Sequence, residues 1–176
     1  MKLRGITYAA IAFLAFAIQT TYAQAPDANP LSTGLKGSYT TIKTNIVKAA
    51  EKMPEEHYGF KPMPDMQSFA ERLGHIADAS IRSCASVRGE QKTPPAGTKR
   101  AKAELIAALK ETFTYCDSVF DSLTDADASK LATIGGRPST KLQPLWGMVS
   151  HNNSIYGALA VYMRLKGIIP PSSEPR

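Results

Sequence analysis

Two histidines lie in segments that otherwise have the pattern of core-facing helix, and imidazole is a common ligand of transition metals. His75 stands in "LGHIADAS", with Asp78 three residues later on a neighbouring part of the same helical surface. His151 stands at a matching depth in "SHNNSIYG", with Ile155 one turn further along. A catalytic zinc or nickel site usually takes three protein ligands and an open water position. Two histidines supply part of that set, so a third ligand would have to be Asp78, Ser154 or an amide.

The residue types alone leave two interpretations open for this pair. They favour interior histidines that are satisfied by hydrogen bonds over a metal centre. Other catalytic chemistry has less support, because the nucleophile motif G-x-S-x-G is absent and the adjacent acids Glu55 and Glu56 have no glycosidase-like separation. No catalytic residue and no residue that binds an organic cofactor can be assigned from the sequence.

Four stretches of helical periodicity would have to position these side chains. Apolar residues recur at three-, four- and seven-residue spacings from Leu31 to Met53, which predicts the first helix. The capping-box sequence "SFAE" at 68–71 opens the second, and the third carries the apolar stripe of 105–120. The fourth is predicted over about 141–166, with Gly167 as its cap. Since no segment shows strand-like alternation, the fold class is all-α, a four-helix bundle.

The connection between the second and third helices bears on the two cysteines. Residues 89–98, "GEQKTPPAGT", extend at most about 3.6 Å each, just enough to run the length of a 20-residue helix of about 30 Å. The second and third helices can therefore be parallel, which would bring Cys84 and Cys116 to one level. In a simple up-down-up-down bundle they would lie toward opposite ends. We predict a Cys84–Cys116 disulfide, with two unpaired buried thiols as the alternative.

The amino terminus has the pattern of a secretory signal peptide over residues 1–23. Lys2 and Arg4 precede an apolar run from Ile6 to Ile18, and cleavage is predicted after Ala23. Thirteen residues are few for a membrane span, so an uncleaved anchor is the less favoured alternative. Residues 24–30 are a linker, 31–170 the bundle and 171–176 a tail expected to fray. The localisation predicted is periplasmic or secreted, where disulfides persist.

Charge and hydropathy limit the partners. Removing Lys2 and Arg4 lowers the basic count from 21 to 19 against 15 acids, which leaves the mature chain at +4. The excess is spread along the chain without aromatic interleaving, so no nucleic-acid partner is expected. No later segment is apolar enough for stable membrane insertion.

Two long stretches of this sequence resemble the DinB-like (DinB/YfiT) superfamily of bacterial proteins, in its secreted branch. They are "MPEEHYGFKPMPDMQSFAERLGHIADAS" and "RPSTKLQPLWGMVSHNNSIYGALAVYMRLKGIIPPSS". The resemblance implies a four-helix bundle in up-down-down-up order, with parallel second and third helices. It also implies a divalent ion, nickel or zinc, held by three histidines: one in "GHIAD" and an H-x-x-x-H pair on the fourth helix. Some members are thiol-dependent transferases or isomerases, and members often form homodimers.

Carried over residue by residue, the first two ligands match His75 and His151, but the third position holds Ile155. The family's neighbouring acidic positions are Asn153 or Asn152 and Ser154 here, so negative charge that would favour a cation is also lost. The resemblance therefore implies a degraded metal site, with no metal or a weakly bound zinc or nickel ion unless Asp78 substitutes as a ligand.

The function predicted is that of a non-enzymatic binding or stress-associated protein with an unidentified small-molecule ligand. The alternative is a divalent-metal-dependent hydrolase or thiol-transferase that uses His75 and His151. A homodimer is a further expectation from the family, and the sequence leaves open whether the protein is an enzyme.

Overall fold

Four long helices form the bundle in a computed structural model that describes residues 27–134 and 136–175. The predicted signal peptide and the first residues of the linker lie outside these ranges. The long helices are α1 (Pro30–Lys52), α2 (Phe69–Arg88), α3 (Lys102–Asp121) and α5 (Leu142–Leu165). The shorter elements are a 3-10 turn (Glu55–His57), α4 (Asp125–Ala128), strands β1 (Leu131–Ile134) and β2 (Arg137–Thr140), and a second 3-10 turn (Pro171–Ser173). Among the described residues, no helix has the length and apolar character to cross a membrane.

Side-chain contacts show that α2 and α3 run parallel. Thr112 donates to the carbonyl of Ala77 near the middle of the two helices, and Arg88 donates to Ser118 further toward both carboxyl ends. Because the residue numbers at these contacts increase in the same direction along both helices, α2 and α3 are parallel. The capping box that opens α2 is present, with Ser68 as the N-cap residue and Glu71 closing it, as the sequence predicts.

The other helix pairs fix the order of the bundle. α1 is antiparallel to α3, because Lys36 pairs with Asp121 whereas Glu51 pairs with Lys110. α5 is antiparallel to α2, because Tyr162 meets Arg72 whereas Asn152 meets Ser80. The chain is therefore an up-down-down-up bundle, and the predicted fold class is confirmed.

The inner faces of the four helices form one core. Tyr39 illustrates its packing: its ring stacks on Phe120 at 4.1 Å between centroids, and its hydroxyl donates to Asp117 over 2.8 Å. The largest side chains of the core with almost no exposed surface are Tyr39, Ile42, Ile46, Met53, Phe69, Leu73, Ile76, Leu105, Leu109, Leu145, Leu159 and Tyr162.

The connection from α2 to α3 is held against α2 by one carboxylate. Asp78 accepts hydrogen bonds from the backbone amides of Ala96, over 2.8 Å, and of Gly97, over 3.2 Å. Ala96 is buried beside Gly74, where a methyl group added to the glycine would lie 3.5 Å from the alanine Cβ. The segment thus returns along α2, as a parallel arrangement of α2 and α3 requires.

Cys84 and Cys116 form a disulfide with a Cα–Cα distance of 5.5 Å, which confirms the predicted pairing. Both residues are fully buried between α2 and α3. The cross-link joins the carboxyl-terminal half of α2 to the carboxyl-terminal half of α3.

A small antiparallel hairpin was not predicted. β1 and β2 pair Leu131 with Thr140 and Ile134 with Arg137, whereas the sequence predicts no strand. The strands have four residues each, and neither Leu-Ala-Thr-Ile nor Arg-Pro-Ser-Thr alternates apolar with polar residues, which is the sequence pattern that predicts a half-buried strand.

The carboxyl-terminal segment makes side-chain contacts with the bundle. The amide of Ser172 donates to the Tyr156 hydroxyl, and Glu174 pairs with Lys52 over 2.5 Å. Pro170, just before it, is buried. These contacts fasten the segment to both α1 and α5.

Candidate functional site

His75 and His151 face each other across the seam between α2 and α5. Their Nε2 atoms are 3.0 Å apart and their ring centroids 5.0 Å apart. His75 is exposed and His151 is half-buried, so the prediction of two interior histidines is wrong for His75. The physical reason is helical geometry: at about 100° per residue, position 75 lies on the side of α2 opposite the buried Leu73, Ala77 and Cys84, and on the same face as exposed Arg82.

A buried amide supports His151 from behind. Asn152 is fully buried, and its side-chain nitrogen donates to the Ser80 hydroxyl over 3.0 Å. Its carbonyl oxygen lies 3.3 Å from Nδ1 of His151. A hydrogen bond between the two Nε2 atoms requires a proton on one of them and a lone pair on the other.

The surroundings of His75 disfavour added positive charge. Shielding of its ring edge from water lowers the pKa of His75, and the neighbouring His151, Arg82 and Arg72 lower it further. Asp78 opposes these effects to a smaller degree than His151 and Arg82. The electrostatic environment of the pair is therefore net positive on its α2 side.

The third position of the family's ligand pattern contributes no donor atom. Ile155 is buried, one turn after His151, and Ser154 beside it is exposed. Both oxygens of Asp78 accept the backbone hydrogen bonds of the α2–α3 connection. Within residues 27–134 and 136–175, no three side chains of the His, Cys, Asp or Glu type come together as a potential ion site. The residues present do not fit a three-histidine metal centre.

A groove of about 390 Å³ opens between α2 and α5, with the histidine pair at one end. We call it the α2–α5 groove. The sulfur of Met148 in its wall lies 3.7 Å from the sulfur of Cys84, so the disulfide supports this wall from within. The groove is lined by His75, Ala79, Arg82 and Ser83 of α2 and by Gln143, Pro144, Gly147, Met148 and His151 of α5.

A larger hollow of about 480 Å³ lies between α1 and α3, away from the histidines. Two of the lysines in its wall have acidic partners: Lys43 contacts Asp117 over 2.7 Å, and Lys110 contacts Glu51 over 2.8 Å. Since two of its three lysines are already paired and its wall contains no histidine, the hollow offers less chemistry for recognising a ligand than the α2–α5 groove does.

Two groove residues were not singled out from the sequence. Arg82 follows His75 by seven residues, two helical turns along the same face, and Gly147 precedes His151 by four. These spacings were readable from the chain. They did not reveal that α2 and α5 are neighbours, or that the faces carrying these residues line the same groove.

The sequence model of the DinB superfamily matches residues 39–154. The chain belongs to the DinB superfamily. Among solved structures, a DinB-like protein of Bacillus cereus is 20% identical, with a TM-score of 0.67 over 79% of this chain and 95% of that one. The DinB-like protein YjoA of Bacillus subtilis is 18% identical, with a TM-score of 0.63 over 81% of this chain and 99% of that one. No curated protein matches the chain.

Both solved neighbours share the DinB fold with this member of the superfamily. At these identities the likeness concerns the fold alone. The resemblance of the sequence to the DinB-like superfamily is confirmed.

Proposed function

We propose that this DinB-superfamily protein is an exported, non-enzymatic binding protein whose ligand site is the α2–α5 groove and whose ancestral metal site is degraded. The observation that carries the proposal is Ile155, a buried hydrocarbon side chain one turn from His151, where the family pattern calls for a ligand. Aliphatic side chains have no lone pair to donate to an ion.

Two neighbouring features support the loss of metal binding. Arg82 lines the same groove as the histidines, and its permanent positive charge opposes a divalent cation. Asp78, the nearest acid in the sequence, holds the α2–α3 connection through both its oxygens. Moving it onto an ion would leave the amides of Ala96 and Gly97 without their partner.

Export is part of the proposal and has two supports. The first 23 residues have the charge and hydropathy of a signal peptide. The Cys84–Cys116 disulfide is of the kind that persists outside the reducing cytosol. A stress-associated role would fit the same compartment and the same bundle.

The second candidate function is a divalent-metal-dependent hydrolase or thiol-transferase. One observation favours it: the two Nε2 atoms are 3.0 Å apart. With bonds of about 2.0–2.1 Å, two nitrogen ligands of a tetrahedral zinc ion lie roughly 3.3 Å apart, so a small opening of the pair would suit one ion. The ligand count and the nearby arginine weigh against it.

Calorimetric titration of the mature protein with Zn²⁺ and Ni²⁺ tests the proposal. We expect weak binding to the native protein and stoichiometric binding to Ile155→His, which restores the third ligand. Ser154→His is the matched control, because it adds an imidazole at the adjacent exposed position. Melting curves without metal verify that each variant folds. Stoichiometric, tight binding to the native protein would refute the degraded site.

A further inference from the structure

The α2–α5 groove contains donor groups that have no partner in the described part of the protein. The Arg82 guanidinium lines the groove and makes no hydrogen bond or ion pair there, whereas Arg72 donates to Tyr162 and Arg88 donates to Ser118. A guanidinium carries five N–H donors in a planar fork that matches a carboxylate. An unpaired arginine in a concave surface is therefore an anchor for an anion.

Two neutral donors lie beside it. Gln143 accepts from the Ser139 hydroxyl through its side-chain oxygen over 2.7 Å, which fixes the amide and leaves both N–H groups of its nitrogen free. Ser83, whose hydroxyl is a donor, also lines the groove. Gln143 lies in the first turn of α5, where the helix dipole adds partial positive charge.

No acidic side chain lines this groove. A cationic ligand would thus meet Arg82 without any compensating carboxylate. An anion, in contrast, would gain a charge-assisted hydrogen bond from Arg82 and further hydrogen bonds from Ser83 and Gln143. Charge complementarity therefore favours a negatively charged ligand.

The remaining wall is apolar. Ala79, Pro144 and Met148 line it, and Gly147 leaves open space, since no other atom lies within 4 Å of the position its Cβ would take. The volume of about 390 Å³ is at the small end of the range for small-molecule sites. A donor-rich end beside an apolar wall suits a compact acid with an apolar body.

We propose that the α2–α5 groove binds the carboxylate of a small amphipathic organic acid, with Arg82 as its charge partner and Ser83 and Gln143 as further donors. This inference rests on the proposed binding function and names the class of its ligand. It requires neither a metal ion nor a covalent step.

Octanoate, titrated into the mature protein by calorimetry, is the probe. We expect saturable binding at one site, no binding of octylammonium and only weak binding of octanol. Loss of a charge-assisted hydrogen bond predicts about tenfold or more weaker octanoate binding by Arg82→Gln. Arg88→Gln, also exposed on α2 but outside the groove, should bind as the native protein does.

A second pair of variants tests the place of binding. Gly147→Leu should fill the groove and abolish octanoate binding, whereas Gly157→Leu, exposed on the same helix outside the groove, should leave it unchanged. Equal binding of octanoate and octanol, an unchanged affinity in Arg82→Gln, or binding of inorganic phosphate in place of octanoate would overturn the inference.

Failure of this inference can be told apart from failure of the proposed function. Absence of octanoate binding in a protein that also lacks tight metal binding refutes the ligand class alone. Stoichiometric zinc or nickel in the native protein refutes the proposed function itself.

Discussion

Removal of the Cys84–Cys116 disulfide should cost this bundle a large part of its stability. The two cysteines are 32 residues apart in sequence. The chain-entropy relation gives about 3 kcal/mol for a 15-residue loop and about 4.7 kcal/mol for a 100-residue loop, so this cross-link should contribute roughly 3.7 kcal/mol. Small domains have a total free energy of unfolding of about 5–15 kcal/mol.

The perturbation is the double variant Cys84→Ala with Cys116→Ala, compared with native protein that has been reduced. Both sulfur atoms are fully buried, so the double variant also loses packing between α2 and α3 and against Met148. We therefore expect the free energy of unfolding of the variant to be about 4 kcal/mol lower than that of the oxidised protein. Reduced native protein should lose slightly less, because it keeps both sulfur atoms.

Urea unfolding followed by circular dichroism measures this loss, and the slope of the free energy against urea should rise because the unfolded chain becomes less compact. Mass analysis must show that the native sample is oxidised. A loss below about 1 kcal/mol in such a sample would contradict the entropic reasoning.

Three further predictions concern single residues. Gly147→Ala should raise the stability of α5 by up to about 1 kcal/mol in thermal unfolding, because the added methyl meets open space; destabilisation would show that the groove is closed. Asn152→Ala should destabilise by about 1–3 kcal/mol, since it leaves the buried Ser80 hydroxyl unpaired, and adding Ser80→Ala should cost little more; two additive losses would refute the pairing. The Ser68 amide that donates to Glu71 lowers the pKa of that carboxylate, so its stabilisation is complete above the unfolded pKa and is lost as the pH falls through the folded pKa. The stability difference between native protein and Glu71→Gln should thus shrink from pH 5 to pH 3, measured by urea unfolding at each pH; a constant difference would contradict the assigned shift.

The bundle was predictable because its determinants are local. The capping box at Ser68 and the apolar stripe of each helix are read within one element, and the length of the 89–98 connection permitted the parallel pair that Cys84 and Cys116 then joined. The hairpin was missed because strands this short and exposed carry no periodic signal. The fastening of the tail was missed because its partners, Lys52 and Tyr156, lie far away in sequence.

The site was predictable only in part, for a related reason. His75 and His151 were identified as a pair, and the structure brings their Nε2 atoms to 3.0 Å. The exposure of His75 and the participation of Arg82 depend on how far α2 and α5 separate at this level of the bundle. That separation follows from packing between helices, which residue spacing along a single helix does not encode.

The metal content of the protein, purified without added metal or chelator, tests the central claim most directly. Ile155 in place of a ligand predicts far less than one zinc or nickel ion per chain, and a measurable gain when Ile155→His is produced in the same way. One ion per chain in the native protein, lost when His75 and His151 are both replaced by glutamine, would contradict a degraded metal site.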